Sequence, residues 1–200
     1  QAAGGVTTAI FTDANLQELG YIANHSDAVF LIAHDQEQVD KAQALRDQLP
    51  NIRNVIYWDD SGMWKVEDPW LMRYEDVQKL GELYGKEHPD AFEKMLAEGK
   101  ISDIALFSYT SGTSGVPKGA MIRHQNVLYT NWHTQKTIPI RDEDQYLSFS
   151  PLAWITEQGF GVGGHALYGF CVNFPEGPET TMHDLREIAP SSLLFPSRIW

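Results

Sequence analysis

The sequence predicts an α/β fold in which layers of parallel β-sheet are covered by helices. Two observations carry this prediction. Residues 28–33, AVFLIA, form a continuous apolar run of strand length, and residues 52–58 form a second strand-like segment. Between them, residues 35–49 repeat apolar side chains at helical spacing. Continuous apolar strands that alternate with amphipathic helices are typical of a parallel sheet buried on both faces.

The other elements of the first half follow the same alternation. Residues 6–11 are strand-like, and residues 15–25 place Leu16, Leu19 and Ile22 on one helical face. Residues 63–103 are the least regular part, with charged helical stretches at 74–83 and 90–99. We interpret these two stretches as solvent-exposed helices of a surface segment that precedes the central strand.

The second half begins with a short apolar strand at residues 104–108, IALFS, which leads into a polar loop at residues 109–119. Further strands are predicted at 120–123, 146–150, 171–174 and 193–195, and helices at 124–136 and 183–188. A glycine-rich helix at 159–164 should pack tightly through Gly159 and Gly163, which fall on one α-helical face. Cys171, the single cysteine, is expected to be a buried and inert thiol.

Composition limits the function classes. The 200 residues are 42% hydrophobic and 12% aromatic, enough for a packed core. The net charge of −12 has the wrong sign for coating nucleic acid or an anionic membrane. No apolar run reaches the ~18 residues of a membrane span. The lone cysteine suits a reducing, cytoplasmic location. Peripheral contact with a membrane is an alternative for a longer parent protein.

The loop at residues 109–119, YTSGTSGVPKG, has the chemistry of a polyphosphate cradle. Its glycines allow close backbone approach to a ligand, so that successive N–H groups can surround phosphate oxygens. Lys118 adds a positive charge, and several short hydroxyl side chains add donors. The loop is not a Walker A sequence, because Pro117 precedes Lys118 and Gly119 follows it. A simple solvated loop remains the alternative on composition alone.

The order of these residues closely resembles the signature of the AMP-forming adenylating enzymes, [YF]-[ST]-[ST]-G-[ST]-[ST]-G-x-P-K-G, at every defined position. The resemblance implies that the chain is part of the large N-terminal domain of such an enzyme, which uses ATP, Mg²⁺ and coenzyme A. It also implies a phosphate-binding set consisting of Thr110, Ser111, Gly112, Thr113, Ser114, Gly115 and Lys118. Within that set, Thr110 would assist the metal, and Thr113 and Lys118 would be catalytic.

Other segments resemble the long-chain fatty acid CoA ligases, which convert a fatty acid, ATP and CoA to acyl-CoA, AMP and pyrophosphate. Two short segments match sequences of that branch, namely residues 2–5, AAGG, and the His25-Ser26 pair. Residues 151–158, PLAWITEQ, resemble its PLAHIxEx segment. In the family this segment lines the acyl tunnel, which implies substrate roles for Trp154 and Glu157. Trp154 replaces the family histidine, and a core aromatic is the alternative reading of this position.

Two further patterns are assigned no catalytic role. Residues 159–164 satisfy G-x-G-x-x-G, but eight residues, Pro151 among them, separate the preceding predicted strand from Gly159, which argues against a dinucleotide site. His124 matches a histidine that follows the loop in acyl-CoA synthetases, and we expect it to orient the return of the chain.

We expect residues 1–200 to be a partial AMP-binding domain, truncated at both ends and lacking the C-terminal domain. The later family motifs are absent from it, so the isolated chain should be inactive. The rival hypothesis is a non-catalytic phosphate-binding or interaction module that kept the loop. An intact Y-G-x-T-E motif in the full-length parent would argue against that rival.

Overall fold

The structure is a computed structural model that describes residues 1–64, 66–110, 115–177 and 179–195. Its strands are β1 (Thr7–Thr8), β2 (Phe30–Ala33), β3 (Asn54–Tyr57), β4 (Leu71–Arg73), β5 (Ile104–Thr110), β6 (Lys118–Arg123), β7 (Gln145–Leu147) and β8 (Cys171–Asn173). Its α-helices are α1 (Leu16–His25), α2 (Gln36–Ala44), α3 (Tyr74–Glu87), α4 (Ala91–Glu98), α5 (His124–Thr137), α6 (His165–Tyr168) and α7 (Thr181–Ile188). A 3₁₀ turn (Arg46–Gln48) follows α2, and a π-helix (Glu157–Gly164) precedes α6.

The chain forms two compact units. The first comprises Gln1–Gly5 and Thr12–Gly99, and the second comprises Val6–Phe11 and Lys100–Trp200. In the first unit, β2, β3 and β4 form a parallel sheet in that order, with Leu31 opposite Val55. Helix α2 packs against β2 and β3. The predicted alternation of parallel strands and helices is confirmed for this unit.

Side-chain caps fix where the first two helices begin. The side chain of Asn15 accepts a hydrogen bond from the Glu18 N–H at 2.9 Å, and that of Asp35 accepts from the Gln38 N–H at 3.1 Å. Each cap satisfies an N–H that would otherwise lack a partner inside its helix. These local signals explain why both helices begin at the positions that the sequence predicts.

The sheet of the first unit is buried mainly on one face. Val55 and Ala33 are buried with residues of α2, whereas Phe30 and Ile32 of β2 are 53% and 66% exposed. The expectation of a strand buried on both faces is therefore corrected for β2 within this chain. A continuous apolar run predicts a strand, but it does not predict which other elements pack on the two faces of that strand.

Helices α3 and α4 contain no buried residue. Leu80 and Leu83 of α3 are both more than half exposed, as is Phe92 of α4. The two charged stretches therefore form helices as predicted, and neither contributes to a core in this chain.

The described residues of the second unit form two small sheets. Strand β1 pairs in parallel with β5, and β5 pairs antiparallel with β6. Strands β7 and β8 form a separate parallel pair. Ala105 and Leu106 of β5 are 2% and 3% exposed, and Leu147 of β7 is 1% exposed. The predicted strand at 120–123 is confirmed, but it begins at Lys118 and is the antiparallel partner of β5.

The glycine-rich segment is a helix, as predicted, but of the π type. A Cβ atom on Gly163 would lie 2.3 Å from Val127 Cγ1 of α5, whereas one on Gly159 would meet nothing within 4 Å. Asn131 of α5 donates from Nδ2 to the Gly159 carbonyl oxygen at 2.8 Å. Gly163 therefore packs closely on α5 and Gly159 does not, because a π-helix changes the register of faces that an α-helix would give.

Two further expectations are wrong. Cys171 lies at the start of β8 and is exposed, so it is not a buried thiol. Residues 193–195 are not a strand; the only described pairing there is a bridge between Ser192 and Tyr146. Among the described residues, no helix is long and apolar enough to cross a bilayer.

Candidate functional site

The signature segment spans the end of β5, the start of β6 and the connection between these two strands of a β-hairpin. Strands β5 and β6 pair Tyr109 with Gly119, and Thr110 with Lys118 at the last position of the ladder. Directly opposed residues of an antiparallel pair carry their side chains on the same face, about 5 Å apart at Cβ. Thr110 and Lys118 therefore carry their side chains on one face of the hairpin, at the two ends of the connection. Both residues are exposed.

The structure describes part of the predicted phosphate-binding set. Ser111, Gly112, Thr113 and Ser114 lie outside the described residues. Gly115 has φ +81°, the left-handed region that favours glycine. The strands extend further than the sequence predicts, so Thr110 and Lys118 belong to β5 and β6 and the connection comprises residues 111–117.

The packing of the hairpin explains the first and last residues of the signature. A Cβ atom on Gly119 would lie 2.9 Å from Cζ of the Tyr109 ring, closer than real Cβ contacts allow. Any larger residue at 119 would displace the aromatic ring from its cross-strand partner. Ser108, one residue before, is 8% exposed and anchors β5 in the unit. The Tyr109–Gly119 pair thus holds the two ends of the connection together.

The chain after β6 returns to the turn that precedes β5. The His124 N–H donates to the Asp103 carbonyl oxygen at 3.1 Å, and the Gln125 N–H donates to the Ile101 carbonyl oxygen at 2.8 Å. Asn126 Oδ1 accepts from the Arg123 N–H at 2.9 Å. His124 is the first residue of α5, and its backbone N–H ties the start of that helix to Asp103.

The donor set at the hairpin suits an anion with an accompanying metal. In the part of the chain that the structure describes, Lys118 forms no ion pair with an acidic side chain. The same residues contain no group of three His, Cys, Asp or Glu side chains that could hold a metal. Mg²⁺ is often held by few protein oxygens together with substrate phosphates, and the Thr110 hydroxyl fits such an arrangement.

The second candidate region is the turn that leads into the π-helix. The Trp154 carbonyl oxygen accepts from the Glu157 N–H at 3.1 Å and from the Gln158 N–H at 3.3 Å. The Trp154 side chain is 43% exposed. The alternative that Trp154 is a core aromatic is therefore wrong for this chain.

Glu157 is enclosed rather than open to a ligand. It is 2% exposed, and its carboxylate accepts from the Tyr146 hydroxyl at 2.9 Å and from Ser148 Oγ at 2.5 Å. Burial, and then the neighbouring Glu157 carboxylate, raise the pKa of Tyr146 well above its usual range. Sequence reasoning missed Tyr146 and Ser148, although the alternation in YLSFS places both on one face of the strand.

A model of the AMP-binding enzyme family matches residues 1–200, and the chain belongs to this family. The chain is 28% identical to the long-chain-fatty-acid CoA ligase ACSBG2 of Xenopus laevis over 206 residues, covering 99% of this chain and 27% of that protein. It is 27% identical to human ACSBG1, a ligase of the same description, covering 99% of this chain and 28% of the relative. The chain therefore spans about a quarter of the length of these curated relatives.

Solved structures give the same fold. The anthranilate CoA ligase AuaEII in complex with anthranoyl-AMP matches with a TM-score of 0.70 at 19% identity, over 94% of this chain and 34% of that one. The long-chain-fatty-acid-CoA ligase FadD1 of Archaeoglobus fulgidus matches with a TM-score of 0.64 at 17% identity, over 93% of this chain and 34% of that one. The predicted fold, that of the N-terminal domain of adenylate-forming enzymes, is confirmed.

Proposed function

We propose that the chain carries the ATP-phosphate-binding part of a long-chain fatty acid CoA ligase, which converts fatty acid, ATP and CoA to acyl-CoA, AMP and pyrophosphate. The observation that carries this proposal is the complete eleven-residue signature on a β-hairpin, with Thr110 and Lys118 opposed where the connection begins and ends. The similarity to long-chain-fatty-acid CoA ligases along 99% of the chain supports the substrate class.

The residues of the connection would hold the β and γ phosphates of ATP while the fatty acid carboxylate attacks the α phosphorus in line. Backbone N–H groups and hydroxyls would cradle the phosphate oxygens, and the Lys118 ammonium would balance charge that develops on pyrophosphate. Mg²⁺, when bound beside the Thr110 hydroxyl, would neutralise phosphate charge. The full proposed set is Thr110, Ser111, Gly112, Thr113, Ser114, Gly115 and Lys118.

The energy available at this site is that of several charge-assisted hydrogen bonds. Each contributes about 1.5–3 kcal/mol, and ordering one backbone residue costs about 1–2 kcal/mol. The hairpin reduces that cost because Thr110 and Lys118 are already fixed in β5 and β6. Phosphate contacts alone leave adenine and ribose unbound, so the isolated chain should remain inactive.

On the acyl side, we propose that the exposed Trp154 borders the fatty acid. An indole in place of a histidine adds apolar surface and removes a titratable group. The resemblance also implies a substrate role for Glu157, three residues after Trp154, but its buried carboxylate is already hydrogen-bonded to Tyr146 and Ser148. The parent's partners are then small molecules, namely fatty acid, ATP and CoA, and its single cysteine on this chain suits a cytoplasmic location.

We expect the full-length parent to exchange radiolabelled pyrophosphate into ATP only when a fatty acid is present. Exchange reports reversible formation of an acyl-adenylate, which needs both the phosphate site and a bound carboxylate. A panel from acetate to long-chain acids gives the substrate range, and a reaction without acid is the control. Release of ADP in place of AMP would contradict the proposal, and absence of exchange with every acid would favour the non-catalytic module.

A further inference from the structure

The buried carboxylate of Glu157 connects two elements of the second unit. Tyr146 belongs to β7, Ser148 follows that strand directly, and Glu157 is the first residue of the π-helix. The two hydrogen bonds at 2.9 and 2.5 Å use both oxygens of the carboxylate, one each. The strand and the helix are therefore fixed to each other through a single side chain.

The same residue is bonded through its backbone to the turn before the helix. Its N–H donates to the Trp154 carbonyl oxygen at 3.1 Å, and the side chain of Gln158 donates from Nε2 to the Leu152 carbonyl oxygen at 2.8 Å. Gly161 leaves the room that the carboxylate occupies, since a Cβ atom there would lie 2.2 Å from Glu157 Oε1. The position of the turn thus depends on where the carboxylate is held.

We propose that Glu157 is a positioning residue that, with Tyr146 and Ser148, fixes the Trp154 turn and thereby shapes the site for the carboxylic acid. Glu157 acts through the peptide of Trp154 and does not touch substrate. This inference rests on the proposed function insofar as Trp154 borders the fatty acid. The hydrogen-bonded connection itself depends only on the structure.

Exposure and energetics favour this role over the alternatives. Glu157 is 2% exposed with both oxygens occupied, while Trp154 is 43% exposed, so only the indole is open to a ligand. A buried carboxylate is also a poor source of stability, because an apolar residue of similar size packs without the cost of desolvation. What a satisfied polar cluster supplies instead is one defined arrangement of the groups it joins.

Two tyrosines allow a matched test. Tyr146→Phe removes the hydroxyl that holds Glu157 and keeps the ring that packs edge-on against Phe170, with centroids 5.9 Å apart. Tyr168→Phe removes a hydroxyl that is buried and has no hydrogen-bond partner among the described residues. Both variants are made in the full-length parent labelled with 5-fluorotryptophan, and Trp154→Phe serves only to assign the fluorine resonance of Trp154.

We expect Tyr146→Phe to shift or broaden the Trp154 resonance, to leave that of Trp70 in the first unit unchanged, and to raise the KM for fatty acid about tenfold with an unchanged KM for ATP. Tyr168→Phe should change none of these. Glu157→Gln, which keeps an acceptor oxygen for Tyr146, should stay closer to the unmodified protein than Glu157→Ala.

Several results would overturn the inference. An unchanged Trp154 resonance in Tyr146→Phe would remove the connection, and equal increases in the KM for fatty acid and for ATP would indicate a general loss of structure. If Tyr168→Phe changed the Trp154 resonance and the KM for fatty acid as much as Tyr146→Phe does, the effect would not be specific to the Tyr146 hydroxyl. If the parent activates no carboxylic acid, the proposed function fails, and the fluorine spectrum alone still decides whether Tyr146 positions Trp154.

Discussion

Replacing Lys118 with alanine in the full-length parent should slow adenylation by about 10²- to 10³-fold while the fold is retained. Lys118 is exposed in the first position of β6, opposite Thr110, and contributes its side chain to no core. Its ammonium would matter most as pyrophosphate departs, when charge on the leaving group is largest. The loss should therefore fall on the rate of the chemical step.

Single-turnover formation of acyl-adenylate measures this rate directly. Lys100→Ala is the matched control, because Lys100 is an exposed lysine of the same unit that lies outside the hairpin. Thr113→Ala should slow the same step by a similar factor. Unchanged rates in both Lys118→Ala and Thr113→Ala, with native circular dichroism, would leave the signature without its proposed role.

Gly161→Ala should destabilise the second unit, with a loss of about 2–4 kcal/mol in the free energy of unfolding. The new methyl group would lie 2.2 Å from Glu157 Oε1. The carboxylate is buried, and moving away would break its hydrogen bonds to Tyr146 and Ser148. Both the close contact and the movement cost free energy.

Gly159→Ala provides the comparison within the same helix, since a Cβ atom there meets nothing within 4 Å. This variant should change stability by less than about 1 kcal/mol, in the stabilising direction, because alanine loses less backbone entropy than glycine. Urea denaturation of the chain followed by circular dichroism measures both. Equal midpoints for Gly161→Ala and Gly159→Ala, at an unchanged slope, would show that the carboxylate is not held in place.

Local signals made much of the fold predictable. The caps at Asn15 and Asp35 are contacts across three residues, and the apolar period of each helix is read within one window. The parallel strands of the first unit follow from alternation with those helices. Exposure was less predictable: Cys171 lies in an apolar stretch, yet which side chains of a strand are covered depends on elements far away in sequence.

The candidate site was likewise predictable where it depends on local sequence and unpredictable where it depends on distant contacts. The signature placed the candidate phosphate-binding residues, but it did not indicate that β5 and β6 pair antiparallel or that Thr110 opposes Lys118, because register is fixed by pairing between strands. Likewise, the likeness of residues 151–158 to a family segment singled out Glu157 but not its burial. Its hydrogen-bond partners, Ser148 and Tyr146, lie 9 and 11 residues earlier, in or directly after β7.

The central claim is that this hairpin serves a ligase in which a carboxylate attacks the α phosphorus of ATP. The most direct measurement follows ¹⁸O from a labelled fatty acid through the parent reaction with ATP and CoA, by mass spectrometry of the nucleotide products. The account predicts one ¹⁸O atom in AMP and none in pyrophosphate, because the carboxylate oxygen that forms the acyl-adenylate leaves with AMP. Label in inorganic phosphate, accompanied by ADP, would place the attack at the γ phosphorus and contradict the account.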